Sequence, residues 1–564
     1  MKKNSLYLIM ILLLLIISNK TFSQKISPYF FGQNAWMPDS IGSKKFSGQL
    51  HKKWNDIKSS GAQIIRFGGI AADDNMPTNY QYIKMIDSIR ANGMEPMIQV
   101  PFFNGKYNAS QAAAIVQYIN ITKGKNIKYW IIANEPDHVY NYTNSSQVAS
   151  YFKPYASAMK AVDPSIKIVG PETAWYNTNI INGLTTPGGP DDITGTDGAG
   201  RYYVDVITFH TYPFDGSQTR SSVISKLTEP GKFQDNLSAL NLRITNCNNA
   251  HGRTGDNALK TAVTEANINF KNSESDNLYG VGANSFIGGQ FWAEMLGIGM
   301  KKGLAFFNFW SIIEGNTQAL NIGFLDRSSG DRKPTFYHFK MMSENFKGTS
   351  CDGTDNQANV KVFGSKDAEQ ISVMILNQNQ SGNYNYTLRL NTGTVSGTNA
   401  LKINVNADVE KEYTDVISNQ SSVLLVFNMA GNIVKKCEYK LDGHASANLP
   451  PSCVTFEDTT STEDTTSTAV LTTPAASPGL KVYPNPAKDD FTVDFTSANM
   501  KEEKAAIKVI DQTGRIVISK EFDLLEGQIK EKVELSHYSI AAGIYILQLT
   551  TGNDIYNSRI ILAK

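Results

Sequence analysis

The chain has 564 residues, 41% hydrophobic and 19% charged, which is apolar enough for several buried cores and excludes a disordered, collagen-like or polytopic membrane protein. Its 53 Lys and Arg against 52 Asp and Glu leave a formal net charge of +1, so nothing electrostatic favours nucleic acid or an anionic membrane surface. Four cysteines are too few for a disulfide scaffold.

The N-terminus reads as a processing segment. Met1–Lys3 is basic, Leu6–Ile17 is an apolar run too short for the roughly 20 residues of a membrane span, and Thr21-Phe22-Ser23 offers a cleavage site. Residues 1–23 are therefore expected to be a signal peptide, an uncleaved anchor being the alternative. Export to an oxidising compartment lets Cys247, Cys351, Cys437 and Cys453 pair. Of the three connectivities, a bridge between Cys437 and Cys453 is preferred because the two lie close in sequence.

Residues 24–345 alternate short β-rich runs with helical stretches, the pattern of βα units on a parallel sheet. Eight strands are predicted, around Tyr29–Asn34, Gln63–Phe67, Pro96–Val100, Tyr129–Ala133, Ile166–Gly170, Val204–Phe209, Thr261–Thr264 and Leu304–Phe309. A helix is predicted over Tyr80–Asn92, with Ile83, Ile86 and Ile89 on one face and Gly93 as its stop; another runs from Ser145 to Val162 and ends at Asp163-Pro164. The fold class is α/β, and eight strands in this length fit a (β/α)8 barrel. A doubly wound sheet is the alternative, weakened because no Gly-x-Gly-x-x-Gly follows the first strand.

Residues 346–453 alternate apolar and polar residues again, for example Ile371-Ser-Val-Met-Ile375, and predict a β-sandwich packed on the barrel. Residues 454–480 repeat Glu-Asp-Thr-Thr-Ser-Thr in tandem (457–468) and read as a disordered linker. Residues 481–564, with Phe491-Thr-Val-Asp-Phe495 and Ile544-Tyr-Ile-Leu-Gln-Leu549 among their strands and a turn at Gln512-Thr-Gly514, predict a small antiparallel sandwich.

In a barrel the chemistry sits at the C-terminal ends of the strands. Those ends carry Asn34 and Trp36, Arg66, Gln99 and Phe102, Asn134-Glu135, Glu172 and Trp175, His210 and Tyr212, Glu265 and Asn267, and Trp310. The set is carboxylates, amides, one Arg and aromatics, with no Cys/His metal cluster, phosphate loop or Gly-x-Ser-x-Gly elbow, so no metal or cofactor is expected. All six tryptophans (36, 54, 130, 175, 292 and 310) lie in this region. Trp54 reads as packing, and the three near strand ends suit stacking on sugar faces. Buried strands deliver Glu135 and Glu265 to the rim, and glycosidic cleavage needs one carboxyl protonated and the other ionised.

Trp130-Ile-Ile-Ala-Asn-Glu-Pro-Asp137 resembles the Asn-Glu-Pro signature of clan A glycoside hydrolases, retaining enzymes on a (β/α)8 barrel. The resemblance implies that Glu135 is the acid/base, that Asn134 bonds the sugar 2-hydroxyl, and that Glu265, in Thr264-Glu265-Ala-Asn, is the nucleophile. Phe209-His210-Thr-Tyr212 resembles the strand-six His-x-Tyr that contacts substrate and orients the nucleophile. Arg66 matches the Arg that keeps the nucleophile ionised, and Trp310 matches the aromatic floor beneath the sugar. Asn34, Trp36 and Trp175 complete the expected substrate-binding set.

Blander readings stand beside these. His138 is expected on a loop surface, Asp137 supports its loop, and Glu172 either contacts sugar hydroxyls or pairs with an Arg. The stretch Gly188–Gly200 suits a Ca2+ site less well than a loop of the substrate cleft. At the C-terminus, Val482-Tyr-Pro-Asn-Pro486, Asp511-Gln-Thr-Gly-Arg515, Gly543-Ile-Tyr545 and Lys564 resemble the type A sorting domain of type IX secretion. This implies that residues 481–564 engage that machinery and that the protein is secreted or held at the cell surface. The expected function is a secreted, monomeric retaining glycosidase, endo-acting on a β-linked glucan or hemicellulose. The alternatives are an exo-acting arabinofuranosidase or xylosidase and a non-catalytic glycan-binding protein.

Overall fold

The computed structural model describes residues 23–36, 50–102, 106–272, 276–314, 320–391, 401–456, 480–496, 503–511, 516–524, 528–538, 540–551 and 554–563. Residues 1–22 of the expected signal peptide, the tandem repeats of the expected linker, the turn Gln512-Thr-Gly514 and the final Lys564 lie outside the described residues. The described chain forms two compact units, one ending near Cys453 and the other holding the C-terminal sheets.

The first unit contains a closed barrel of eight parallel strands: β1 (Phe31–Ala35), β2 (Ile64–Phe67), β3 (Glu95–Val100), β4 (Tyr129–Ile132), β5 (Lys167–Thr173), β6 (Val206–Thr211), β7 (Lys260–Ala266) and β8 (Phe307–Phe309). Closure comes from β1 pairing with both β2 and β8, as in Gln33 opposite Ile65 and Phe309. The predicted strands are all present, most shifted by a few residues at their ends, and the doubly wound alternative is excluded.

Helices between the strands form as their local sequence dictates. In Asn79–Ala91, Thr78 and Gln81 make a reciprocal capping box and Gly93, at φ 80°, takes the left-handed turn that ends the helix. Its buried stripe is Tyr82, Met85, Ile86 and Ile89, one residue round from the predicted Ile83 face. The helix Ser145–Val162 has the predicted bounds and is capped by Asn144.

The barrel interior is layered. Ile64, Met97, Tyr129, Ile131, Val169, Val206 and Ala262 seal the end near the strand starts with apolar packing. Towards the strand ends the buried side chains become polar, including Arg66, Gln99, Glu172, His210 and Glu265. The opening is therefore at the C-terminal face.

A sheet of six strands (Ser452–Thr455, Ile433–Lys440, Ser421–Asn428, Gln370–Asn377, Val360–Lys366, Thr349–Cys351) and one of four (Gly353–Asp355, Leu401–Val405, Tyr384–Arg389, Glu412–Ile417) follow the barrel. They meet it through the helices Phe286–Lys301 and Pro334–Asn345. Gln290 Nε2 donates to the Asn377 and Ser421 carbonyls, and His338 Nε2 lies 2.8 Å from Ser422 Oγ. At Gly297 an added Cβ would lie 2.1 Å from the Phe363 ring, so only glycine allows this approach. A disulfide joins Cys437 to Cys453. At the other edge, Ser23–Ile26 runs beside Thr349–Cys351, with Ile26 N donating to Gly348 O and Ser350 N to Gln24 O, both at 2.8 Å. The edge strand Ser452–Thr455 extends two residues into the stretch read as linker.

The C-terminal unit is all-β. Three strands (Leu480–Tyr483, Asp490–Thr496, Gln528–Glu534) and four (Ile516–Leu524, Glu503–Ile510, Gly543–Thr551, Asp554–Leu562) enclose Phe491, Val493, Ile507, Val509, Leu547 and Leu549.

One expectation is overturned by chain order. Gly188–Gly200 lies between the helix Thr178–Leu184 and β6, so it sits at the strand-start face, opposite the polar opening. Its acids serve the loop: Asp192 accepts from Gly188 N, Thr194 and His251 Nε2, and Asp197 pairs with Arg201.

Candidate active site

Four strands converge on one guanidinium. Arg66, on β2 and fully buried, donates through one nitrogen to Glu265 Oε1 (2.8 Å) and Asn34 Oδ1 (3.0 Å), and through the other to Asn134 Oδ1 (2.7 Å). The same second nitrogen pairs with Glu172 Oε2 at 2.9 Å. Asn34 is next to Arg66 in the β1–β2 register, and its NH2 group donates to the Thr264 and Phe309 carbonyls. Buried, with both ends of its amide engaged, Asn34 supports Arg66; this corrects its expected place among the sugar-contacting residues.

His210 joins the three carboxylates. Its Nδ1 lies 2.9 Å from Glu135 Oε1 and 3.6 Å from Glu265 Oε2, and its Nε2 lies 3.2 Å from Glu172 Oε2. The Tyr212 hydroxyl donates to Glu265 Oε2 at 2.8 Å. Register irregularities in β5–β6, between Gly170 and Thr173, and in β6–β7, between Phe209 and His210, re-aim side chains at this rim. One donor atom each of Glu135, His210 and Glu265 falls within 4.8 Å of the others, a grouping able to hold a metal ion. Here the Arg66 guanidinium already supplies the positive charge against Glu265.

The backbone that carries these groups is bent into an uncommon conformation. Ala133, Glu135 and Glu172 have φ values of 67°, 44° and 61°, each costing about 1–3 kcal/mol for a residue with a side chain. Local bonds offset the strain: Glu135 N donates to Glu172 O at 2.9 Å, and Glu172 N to Thr208 Oγ1 at 3.2 Å.

The electrostatics separate the carboxylates. Burial works against ionising Glu172, but Arg66, His210 and the Thr208 hydroxyl outweigh it and hold the group at about 2. Burial likewise opposes a charge on His210, yet Glu265, Glu135 and Glu172 drive it up to about 10. Glu265 is pushed up by burial and by the charge of Glu135, against His210 and Arg66. On Glu135 burial is outweighed by the hydrogen bond from His210, which draws it down.

The aromatic residues line the opening differently. Trp310 lies across Gly69, where an added Cβ would come within 2.7 Å of the indole, and Trp36 adjoins the same glycine. Trp130 and Trp292 are core, with Trp292 stacked on Phe309 at 4.0 Å between centroids. Trp175 is 51% exposed. It lines an open groove with Asp137, Asn141, Tyr142, Asn177 and Asn179. Asp137 joins the walls by accepting from Ala174 N (2.8 Å) and Asn177 Nδ2 (3.0 Å). His138 is exposed.

The residues missed from sequence are Asp73 and Glu314. Asp73 bonds the backbone before Glu135, and Glu314, buried behind Trp310, accepts from Ser311 Oγ and is pushed up to about 7 by burial. Neither lies at a strand end, and no local pattern marks them.

No curated protein matches the sequence. Solved structures similar to this one include CelM2, a bifunctional glucanase-xylanase from a metagenome library, at 17% identity and a TM-score of 0.49 over 72% of this chain and 96% of that one. Others are a Paenibacillus polymyxa xyloglucanase from glycoside hydrolase family 44 (12% identity, TM-score 0.48, 72% and 98%) and a GH30 endoxylanase from Clostridium papyrosolvens C71 (15%, 0.47, 72% and 98%). Residues 481–563 match the family described as the secretion system C-terminal sorting domain, which implies export to the cell surface or beyond, and the all-β C-terminal unit is that domain.

Proposed function

We propose that the barrel is a retaining glycoside hydrolase that cleaves a β-linked glucan or hemicellulose within the chain, with Glu265 as nucleophile and Glu135 as acid/base. The observation that carries this reading is the asymmetry between two facing carboxylates. Among the described residues, the Glu265 carboxylate receives two donors, Arg66 and Tyr212 at 2.8 Å each, whereas Glu135 receives His210 alone. Both of Glu265's donors stabilise its charged form. In the free site burial and Glu135 push Glu265 up and His210 draws Glu135 down, so this reading requires substrate binding to leave Glu265 ionised and the proton on Glu135. One oxygen of each lies within 4.8 Å of the other, which supports a retaining pair, whose carboxyl groups stand about 5–5.5 Å apart.

In the first displacement a Glu265 oxygen bonds the anomeric carbon as the glycosidic C–O bond breaks, and the Glu135 proton passes to the departing oxygen. In the second, Glu135 takes a proton from water, whose oxygen bonds the anomeric carbon as the ester to Glu265 breaks. With its oxygen held by Arg66, Asn134 offers its NH2 group to the sugar 2-hydroxyl, and Trp310 serves as the floor beneath the ring. The amide- and hydroxyl-lined groove around Trp175 adjoins the acid and suits the leaving-group side of a polymer, which favours endo over exo action. The enzyme acts as a monomer without a cofactor, and residues 481–564 engage the type IX machinery.

Glu265→Ala should abolish reducing-end release from a polysaccharide panel, and added azide should restore turnover as a glycosyl azide of inverted configuration. Full activity of this variant without azide would refute the assignment. Oligomeric products mark endo action, monomers the exo alternative. A wild-type protein that binds the panel without releasing reducing ends leaves the non-catalytic reading.

A further inference from the structure

Asp73 belongs to the short helix Ile70–Asp74 after β2, is fully buried and touches neither Glu135 nor Glu265. Its carboxylate nevertheless gathers donors from four places. Oδ1 accepts from Gln99 Nε2 of β3 at 2.7 Å and from Phe102 N at 3.2 Å. Oδ2 accepts from Asn134 N and from the Tyr140 hydroxyl, both at 3.0 Å. Asn134 immediately precedes Glu135, and Tyr140 ends the helical turn Pro136–Val139 that Glu135 begins. One side chain therefore grips both ends of the segment presenting the acid/base.

That segment needs holding. Ala133 and Glu135 both sit in the left-handed region, and Asn134 lies between them. The Asp73–Asn134 bond meets the backbone at the residue where the chain would otherwise relax. An amide here would turn an NH2 group towards either Phe102 N or Asn134 N, neither of which can accept, so only a carboxylate satisfies both backbone donors. Gln99 extends the same network: its Oε1 accepts from Gly69 N at 2.7 Å, and Gly69 is the residue under Trp310. No Lys, Arg or His pairs with Asp73 among the described residues, and burial pushes its carboxyl up to about 7.

We propose that Asp73 is a positioning residue for leaving-group protonation: through Asn134 N and Tyr140 it fixes the turn that aims Glu135, without touching substrate. This rests on the acid/base reading of Glu135. A misplaced acid harms substrates whose leaving group must be protonated and spares those whose leaving group departs unaided. A structural role alone would lower both alike.

The experiment compares Asp73→Asn with the parent full chain on two substrates of one glycone, a dinitrophenyl glycoside and an unactivated oligosaccharide. Displacing a catalytic group by a fraction of an ångström to one ångström costs on the order of 10- to 100-fold, and that loss is expected in kcat on the oligosaccharide. The dinitrophenyl glycoside should change by less than about 3-fold, and KM for either should hold within about 2-fold. Equal losses on both substrates, or a change confined to KM, overturn the proposal. Should Asp73→Asn fail to fold, Tyr140→Phe removes a single donor and must show the same inequality at smaller size; its absence there overturns the proposal equally. Glu135→Ala separates the two levels. If Glu135→Ala is not selective, the acid/base reading falls and takes this proposal with it; if it is selective and Asp73→Asn is not, only the present proposal falls.

Discussion

Replacing Glu172 by Gln tests whether the polar layer of the barrel is held by charge. The carboxylate is fully buried against Arg66 at 2.9 Å and His210 at 3.2 Å, and it accepts from the hydroxyls of Thr208 (2.5 Å) and Thr264 (2.7 Å). Its pKa stands at about 2 in the folded protein against an ordinary 4.5. A depressed carboxylate contributes stability that is complete above the unfolded value and is lost as pH falls through the folded one. At about 1.4 kcal/mol per unit, the ionised form is favoured by roughly 3 kcal/mol at pH 7, falling to about 2 kcal/mol at pH 3.5. Glu172→Gln should therefore destabilise the barrel by about 3 kcal/mol at neutral pH, with the gap to the parent narrowing by about 1 kcal/mol on acidification. Urea unfolding followed by tryptophan fluorescence reads this unit selectively, because all six tryptophans lie between positions 36 and 310. A gap below about 1 kcal/mol, or one that widens as pH falls, would refute the reasoning.

Two further outcomes follow from the same electrostatics. Tyr212→Phe removes a donor that stabilises the Glu265 carboxylate, so the acid limb of the kcat/KM profile should move up by about one pH unit; a limb that stays or moves down contradicts the assignment. His338 is fully buried and held near 4 by desolvation, so acid favours the unfolded form, which takes up the proton first, between pH 6.5 and 4. The parent should lose about 2 kcal/mol from this group by pH 5, and His338→Gln should flatten that fall in the urea midpoint while weakening the protein at pH 7 through its lost bonds to Pro334 O and Ser422. A variant as acid-sensitive as the parent would show that the histidine is not the source.

What the sequence made legible was whatever depends on neighbours in the chain. The eight strands were visible because each is a short apolar run between helices, and Glu135 and Glu265 because such runs deliver them to one face. Asp73 was not, since its role depends on donors from positions 99, 102, 134 and 140, which only the fold assembles. Asn34 was misread for a related reason: a polar residue at a strand end looks available until its partners across the barrel are known. The Gly188–Gly200 loop was misplaced because composition suggested a cleft while its position after a helix and before β6 put it on the opposite face. Glu172 admitted two readings, and the buried ion pair with Arg66 is the one realised.

The strip of chain at Ser23–Ile26 lies along Gly348–Ser350, more than 320 residues later. Synthesis from the N-terminus cannot complete this edge until the sandwich has begun to emerge, so the opening strip waits unpaired through most of translation. Such late closure suits a polypeptide that must stay threadable while it is exported. It also means that barrel and sandwich do not part cleanly at residue 345. A recombinant barrel truncated there would expose Gln24–Ile26 as an unpaired edge and strip the cover from Phe286–Lys301, making 24–456 the smallest piece worth expressing alone.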